Sequence, residues 1–227
     1  MTRVMYVHGL ESGPTGKKAK LLAEAGFDVT AVLMPCSRKY ALRDPLIALW
    51  ALVSLALVIG GVLSSWPSLA AVAAVVAYGA FFPVKALVTR RVLERSVEVQ
   101  RRQLELARPD VVLGSSFGGA VSLELLRRGL WRGPTVLLCP AHERVTERGW
   151  QRRHPGFAGV PDEVVAGVLV VHGTKDETVP LEHSRRLVSG TRARLLVVDD
   201  DHRLTQSATA EHLAAWVALA RSAATPP

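Results

Sequence analysis

The sequence has little cysteine, few aromatic residues and one long stretch without charge. Its 227 residues include two cysteines, Cys36 and Cys139, which are too few for a disulfide framework and suit buried, reduced thiols. Between Asp44 and Lys85 there is no charged residue at all. An uncharged interval of about 40 residues is long for a core element of a soluble protein, so a purely soluble globular chain is disfavoured.

The most informative motif is the pentapeptide Gly-Ser-Ser-Phe-Gly at residues 114–118. It follows an apolar run at residues 111–113 and opens a helix-like segment, which is the strand-turn-helix context of a nucleophile elbow. Glycines two positions before and after Ser116 allow the backbone to fold tightly and expose the hydroxyl. Ser116 is therefore the candidate nucleophile, although such a pentapeptide alone also arises by chance.

Two further polar side chains follow predicted strands. Asp176 lies in a polar turn after the apolar run at residues 167–173, and His202 follows the run at residues 195–198. Taken singly, Asp176 is more readily a helix-capping or turn aspartate than a catalytic acid, and His202 more readily a solvated loop histidine than a base. Together, in the order serine, acid, histidine and each at a strand's carboxyl end, they predict a triad in which His202 is the base.

A loop after the first strand, residues 3–7, supplies a fourth element. This loop is punctuated by glycine and directs backbone N–H groups inward, where negative charge would develop on a substrate carbonyl. The amides of Leu10 and of Phe117, which begins the helix after Ser116, are the candidate oxyanion donors. His8 lies on the turn itself and is interpreted as structural. No cofactor and no metal ion are expected.

Strands alternating with helices predict an α/β fold with a doubly wound, mostly parallel sheet. One domain is expected over residues 1–227, with an insertion at residues 45–88. The second strand is expected at residues 27–34 and the fourth at residues 135–139. The arginine-rich segment at residues 143–154 is expected to be a loop.

Three segments carry a family resemblance: Tyr-Val-His-Gly-Leu-Glu-Ser-Gly-Pro at residues 6–14, Gly-Ser-Ser-Phe-Gly-Gly at 114–119 and His-Gly-Thr-Lys-Asp-Glu at 172–177. Together they resemble the small lidless α/β-hydrolases of the YqiA/UPF0227 esterase kind. The resemblance implies the α/β-hydrolase fold and an esterase whose triad falls on Ser116, Asp176 and His202. The chain departs from that pattern in its acidic Asp-Asp-Asp lead to His202 and in the uncharged insertion.

The uncharged interval predicts a helical hairpin. Trp66 and Pro67 divide it into arms of roughly 20 and 17 residues, near the length that spans a bilayer's hydrocarbon core. The first arm is apolar on every side, and the second is rich in alanine and expected to end at Pro83. Basic residues flank the hairpin and none lies at its tip, so both ends of the hairpin should face the cytoplasm. The flanking residues are Arg38, Lys39, Arg43, Lys85, Arg90 and Arg91.

Three interpretations of the hairpin remain open: a membrane-spanning anchor, which the length favours, a re-entrant hairpin, and an apolar cap over the active site that dimerisation would bury. A small-residue face would let the arms approach closely: Ala70, Ala71, Ala73, Ala74 and Ala77. No secretory signal precedes the first strand, so the hairpin itself would be the targeting element.

The net charge of +8 is concentrated in arginine clusters after the hairpin and at residues 144–153. Membrane lipids, bound through residues 45–88 and these cations, are the expected partners, and no nucleic-acid-binding motif accompanies the charge. The sequence thus predicts a membrane-associated serine hydrolase that cleaves a small-molecule or lipid-like acyl ester or thioester. The alternative is a non-catalytic binding or scaffold protein, and the sequence leaves open whether the chain forms a homo-oligomer.

Overall fold

The computed structural model describes residues 1–10, 12–36, 40, 43–64, 67–149 and 153–224. Arg38, Lys39 and Trp66, which served to place the flank and tip of the hairpin, lie outside the described residues. The strands are β1 Arg3–Val7, β2 Asp28–Thr30, β3 Val111–Ser115, β4 Thr135–Leu138, β5 Val168–Gly173 and β6 Arg194–Val198. The helices are α1 Lys17–Glu24, α2 Pro45–Leu63, α3 Pro67–Ala107, α4 Phe117–Arg127, α5 His142–Arg148, α6 Asp162–Ala166, α7 Leu181–Val188 and α8 Ala210–Ala224.

The six strands form one parallel sheet in the order β2-β1-β3-β4-β5-β6. β1, β3, β4 and β5 are almost entirely buried apolar runs because helices cover both faces of the sheet. The doubly wound parallel sheet predicted from the sequence is confirmed. All strands point the same way, so the loops that follow β1, β3, β5 and β6 meet at one edge.

Alternate strand residues point into cores on opposite faces of the sheet. On one face, Val4 and Tyr6 pack with Leu22 of α1 and Trp216 of α8. On the other face, residues such as Met5 pack with side chains of α3 and α4, namely Val88, Val92, Val121 and Leu125. This two-residue alternation is what the pleat of a strand requires when both faces are covered.

α2 and α3 form the predicted hairpin and are long and apolar enough to cross a membrane, by length and composition. The arms touch closely where a Cβ built on Gly61 would lie 2.6 Å from the Cα of Ala70. Nearer the base, Trp50 Nε1 donates to the Ala77 carbonyl at 3.0 Å. Ala70 belongs to the predicted small-residue face, so small residues set the distance between the arms at this point.

Apolar side chains cover the outside of both arms. Only 6% of the apolar 18-residue stretch of α2 is buried inside the structure, and only 17% of the corresponding stretch of α3. The exposed residues include Leu52, Val62, Leu63, Val75 and Tyr78. Exposure on this scale is far beyond the scattered apolar residues of an ordinary protein surface.

The structure corrects three boundaries. The second arm does not end at Pro83, because α3 continues through this proline to Ala107. A mid-helix proline removes one intrahelical hydrogen bond and crowds the carbonyl four residues earlier, but packing on both sides of Pro83 holds the helix together. β2 is three residues long rather than eight, because its pairing with β1 ends at Thr30. Residues 143–148 of the expected loop belong to α5, which begins at His142.

Candidate active site

Ser116 occupies a sharp turn between β3 and α4. Its backbone has φ 55° and ψ −115°, a conformation that costs about 1–3 kcal/mol for a residue with a side chain. The tight packing of the turn requires the glycines around it. A Cβ on Gly118 would lie 2.0 Å from the Val7 carbonyl oxygen, and one on Gly114 would lie 2.4 Å from Ser122 Oγ. The elbow predicted from the pentapeptide is therefore present, and Ser116 is partly exposed.

The structure brings the three predicted side chains into one hydrogen-bonded chain. His202 Nε2 lies 2.8 Å from Ser116 Oγ, and His202 Nδ1 lies 2.6 Å from Asp176 Oδ2. Because a carboxylate only accepts hydrogen bonds, Nδ1 carries the proton and donates it to Asp176. Nε2 is then the nitrogen with a free lone pair, and it accepts the Ser116 hydroxyl proton. These contacts arise from loops 26 to 86 residues apart in sequence.

Asp176 is held as a carboxylate by four donors. Its side chain is fully buried, which raises the pKa, but hydrogen bonds from His172, His202 and the Val179 amide outweigh burial and hold the pKa below its ordinary value. Oδ1 accepts from the amides of Thr178 and Val179 at 2.9 and 2.8 Å. Asp176 is thus fixed in position as well as in charge.

His172 is a partner of Asp176 that the sequence analysis did not identify. Its Nε2 lies 3.2 Å from Asp176 Oδ2 and 2.9 Å from the Val179 carbonyl, and its Nδ1 lies 2.7 Å from Ser184 Oγ. Two acceptors around Nε2 assign the proton to that nitrogen, so Nδ1 accepts from Ser184. The signal for this role was the single polar side chain in the otherwise aliphatic β5 run.

The acidic lead to His202 has a structural explanation. Asp200 is buried and accepts from the amides of Asp201, Gln206 and Ser207. Asp201 accepts from both the amide and the hydroxyl of Thr205. Asp200 and Asp201 therefore shape the loop that presents His202, because short acidic side chains satisfy backbone N–H groups in turns.

Two lysines of α1 hold the other side of the same loop. Lys18 Nζ donates to the Arg203 carbonyl at 2.7 Å, and Lys17 Nζ donates to the Thr205 carbonyl at 3.3 Å. Burial lowers the pKa of Lys18, against the opposing effects of Cys139 and Asp201. α1 follows the loop that contains Leu10, so that loop and the loop that contains His202 are linked through α1.

The loop after β1 lies against the elbow. A Cβ on Gly9 would lie 3.3 Å from the Ser115 carbonyl oxygen and 3.3 Å from the Cβ of Ser116. The Gly9 amide donates to Ser12 Oγ at 3.0 Å. Within the part of the chain that the structure describes, the amides of Leu10 and Phe117 have no acceptor. The N–H groups predicted to bind an oxyanion are thus available.

His8 has the structural position expected for it. It is buried, its Nε2 accepts from the Met34 amide at 3.1 Å, and its Nδ1 lies 2.8 Å from the Gly9 carbonyl. Both ring nitrogens are therefore occupied in holding the loop after β2 against the loop after β1.

Two groups of side chains contain potential metal ligands. Cys139, Asp176 and His202 offer atoms within 4.8 Å of one another, but burial raises the pKa of the Cys139 thiol, and His202 already donates to Asp176. Glu143, which groups with Glu147 and His183, is paired with Arg186, whose guanidinium would repel a cation. Neither group is suited to a cation as it stands.

A cavity of about 520 Å³ lies among α5, α6, α7 and the loop at residues 153–160. His142, Arg153 and His154 are among its lining residues, whereas Ser116, Asp176 and His202 are not. Burial lowers the pKa of His142 to about 3, so this ring is neutral. The cavity is separate from the hydrogen-bonded chain, and we do not assign the reacting group of a substrate to it.

Comparison with known proteins places this arrangement in a known fold. No family model matches the sequence, and no curated protein matches it. Among solved structures, a protein assigned to the alpha/beta hydrolase superfamily from Xanthomonas campestris pv. campestris is 23% identical, with a TM-score of 0.56 over 98% of this chain and 99% of that chain.

Two other solved structures are similar in fold. A Thermus thermophilus protein is 17% identical, with a TM-score of 0.60 over 100% of this chain and 90% of that chain. Est1E from Butyrivibrio proteoclasticus, with ferulic acid bound, is 14% identical, with a TM-score of 0.53 over 98% of this chain and 87% of that chain. The chain therefore has the α/β-hydrolase fold.

Proposed function

We propose that this protein is a membrane-associated serine hydrolase that cleaves a carboxylic ester or thioester through an acyl-enzyme. The observation that carries the proposal is the continuous hydrogen-bonded chain from Ser116 Oγ through His202 to Asp176. A serine hydroxyl becomes nucleophilic only when a positioned base takes its proton, and this chain supplies both the base and the group that orients it.

Acylation follows from the positions of these atoms. Ser116 Oγ attacks the substrate carbonyl carbon while His202 Nε2 takes the hydroxyl proton, and Asp176 stabilises the imidazolium that forms. The carbonyl oxygen becomes an oxyanion, which the amides of Leu10 and Phe117 stabilise, each donor contributing about 3 kcal/mol. When the tetrahedral intermediate collapses, His202 gives its proton to the leaving alcohol or thiol, and the acyl group stays on Ser116.

Deacylation repeats these steps with water as the nucleophile. His202 Nε2 takes a proton from water as its oxygen attacks the acyl carbonyl, and the same two amides stabilise the second oxyanion. Collapse returns the proton to Ser116 Oγ and releases the carboxylic acid. Est1E, which shares the fold, has a carboxylic acid bound, and this supports an ester as the substrate type.

Membrane association is supported by the dimensions of the hairpin. The 19 residues of α2 extend about 28 Å at 1.5 Å per residue, which matches a hydrocarbon core of about 30 Å. Exposed Arg43 and Lys85 lie at the two ends of the hairpin, where lipid headgroups would contact them. Both ends of the hairpin, and the catalytic domain with them, are then on the cytoplasmic side.

Labelling with a fluorophosphonate probe tests the catalytic proposal. The purified full chain should react covalently, and Ser116→Ala should lose the reaction completely because the reacting oxygen is gone. Ser115→Ala removes the neighbouring hydroxyl of the same motif and should keep the labelling. A wild-type chain that folds but does not react would contradict the proposal and favour the non-catalytic binding or scaffold protein.

Fractionation of cells that express the chain tests the membrane proposal. The wild type should sediment with membranes and resist extraction by salt, since apolar burial holds it there. Recovery as a soluble monomer without detergent would end the anchor hypothesis, and a soluble dimer would favour the apolar cap. Leu63→Cys, at the exposed end of α2, should react with an impermeant thiol reagent from the far side of a spanned membrane only.

A further inference from the structure

The hairpin leaves the domain at the same edge of the sheet as the candidate active site. The chain enters α2 from the carboxyl end of β2, and α3 ends at Ala107, shortly before β3 begins at Val111. The last turns of α3 are thus at the amino-terminal edge of the sheet. α3 is about 60 Å long, whereas strands of three to six residues span roughly 10–20 Å. Its amino-terminal half must extend beyond the carboxyl ends of the strands, where Ser116 lies.

The base of the hairpin is joined to the nucleophile by apolar contacts. Leu46, Ile47 and Val84, which lie at the start of α2 and the base of the second arm, pack against an apolar cluster that includes Phe117 and Met34. Phe117 directly follows Ser116. Apolar packing therefore runs from the base of the arms into the domain as far as Phe117, the buried residue beside the nucleophile.

Polar contacts fix the hairpin in this orientation. Asp44 is buried at the start of α2, where its Oδ1 accepts from the Leu46 amide at 3.0 Å. It also pairs with Arg91 and Arg95 of α3, at 3.5 and 3.4 Å. Arg90 Nε donates to the Gly149 carbonyl at the end of α5, at 2.6 Å. The base is thus held rigidly against the domain.

The rim of the same edge is suited to a lipid surface. Leu33, after β2, is 58% exposed, and Leu10, after β1, is 38% exposed. Exposed cations are also present on the hairpin base and on α5, namely Arg43, Lys85, Arg91 and Arg148. Apolar side chains beside cations are the composition that contacts acyl chains and anionic headgroups together.

From these observations we infer that the catalytic edge of the sheet faces the bilayer, and that the site hydrolyses a lipid acyl ester taken directly from the cytoplasmic leaflet. This inference rests on the proposed function. The acyl chain lies along the apolar hairpin base, and its carbonyl reaches Ser116 at the depth of the headgroups. The bonds that form and break are those of acylation and deacylation, with water as co-reactant.

Fluorescence quenching tests the orientation without relying on activity. Leu33→Cys places a label on the catalytic edge, and Leu130→Cys places one on the opposite edge, between α4 and β4. The labelled full chain is reconstituted in phosphatidylcholine and phosphatidylglycerol vesicles that contain headgroup nitroxide lipid. We expect loss of most fluorescence for Leu33→Cys and none for Leu130→Cys. The unsubstituted chain corrects for Cys36 and Cys139, which are buried.

The hydrolysis rates of a membrane-embedded and a soluble ester test whether the substrate comes from the bilayer. Leu33→Asp should lower hydrolysis of a long-chain ester embedded in vesicles about tenfold, since a charge replaces one apolar contact with the lipid surface. Its hydrolysis of a short soluble ester should be unchanged. The matched control is Leu106→Asp, which changes an exposed leucine at the far end of α3 and should leave both rates unchanged.

The two proposals fail in different ways. Equal quenching at the two positions, or no preference for the embedded ester, overturns the orientation even when the fluorophosphonate probe still labels Ser116. Absence of labelling overturns the hydrolase itself, whatever the quenching shows.

Discussion

Asp200 shows how much of the candidate active site depends on a residue that touches no reacting atom. Its two carboxylate oxygens receive three backbone amides of the loop that contains His202. Burial raises the pKa of Asp200, but the hydrogen bonds from Ser207, Asp201 and Gln206 outweigh it and lower the pKa overall. Asp200 is a positioning residue, because it fixes the path of the backbone and thereby the ring of His202.

Asp200→Asn should reduce kcat without removing the base. An amide N–H₂ group would face one or more backbone N–H donors, so the loop must shift, and a displacement of about 1 Å can cost about 10²-fold in rate. Hydrolysis of a short ester measures kcat and KM. Asp199→Asn changes the neighbouring exposed acid, whose pairing with Lys175 is screened by solvent, and should leave kcat unchanged. Equal losses in both variants would exclude this role.

At this scale the sequence predicts what local patterns encode. Ser116, Asp176 and His202 follow apolar runs at fixed points, so their types and order indicated a common edge before any contact was known. The roles of His172 and Asp200 depend on partners brought together by folding, such as Ser184 for His172 and Gln206 for Asp200. No pattern along the chain specifies those pairs.

At the scale of the element, the contact between Gly61 and Ala70 sets the packing of the two arms. A Cβ on Gly61 would lie 2.6 Å from both the backbone nitrogen and the Cα of Ala70, and a helix backbone cannot yield as a side chain can. Gly60, the preceding residue, has nothing within 4 Å of the same atom. Gly60 and Gly61 are therefore a matched pair of positions at which to test the effect of an added methyl group.

Gly61→Ala should destabilise the hairpin, and Gly60→Ala should not. Overpacking costs about 1–3 kcal/mol, whereas alanine at an open helical position is favourable by up to about 1 kcal/mol relative to glycine. Thermal unfolding of the full chain in mild detergent, followed by circular dichroism, should show a lower Tm for Gly61→Ala alone. Similar Tm values for the two variants would mean that the arms do not pack as closely as described.

The arms were predictable because a long uncharged interval has few structural solutions. The continuation of the second arm beyond Pro83 could not be predicted from the sequence. Pro83 indicates a helix end when only neighbours in sequence are considered, yet α3 passes through it because α2 packs on one half and the sheet on the other. α5 was likewise missed, since its arginines and glutamates carry no apolar stripe that would separate it from a loop.

At the scale of the whole molecule, one network of charges joins α3, α4 and the loop at residues 153–160. Arg128 donates to Glu94 of α3 and to Glu124 of α4. Glu124 also accepts from Arg127 at 2.6 Å and contacts His154 Nε2 at 3.2 Å. Because α3 continues into the hairpin, this network helps to fix the apolar arms to the catalytic domain.

The network makes stability depend on pH in a defined direction. Burial raises the pKa of Glu124, but hydrogen bonds from His154, Arg127 and Arg128 outweigh it and lower the pKa from 4.5 to about 2. A carboxyl group whose pKa is lower in the folded state stabilises the fold fully above its ordinary value. That contribution is lost as the pH falls from about 4.5 toward 2, because the folded state must then take up the proton.

Glu124→Gln should therefore be less stable than the wild type at pH 7, and the difference should shrink steadily as the pH is lowered through this window. Thermal unfolding of both chains in the same detergent at pH 7, 4 and 3 measures it. Glu105→Gln removes an exposed glutamate of α3 that pairs with Arg101, and its effect should be small at every pH because solvent screens such pairs. A difference that stays constant down to pH 3 would show that Glu124 acts through packing rather than charge.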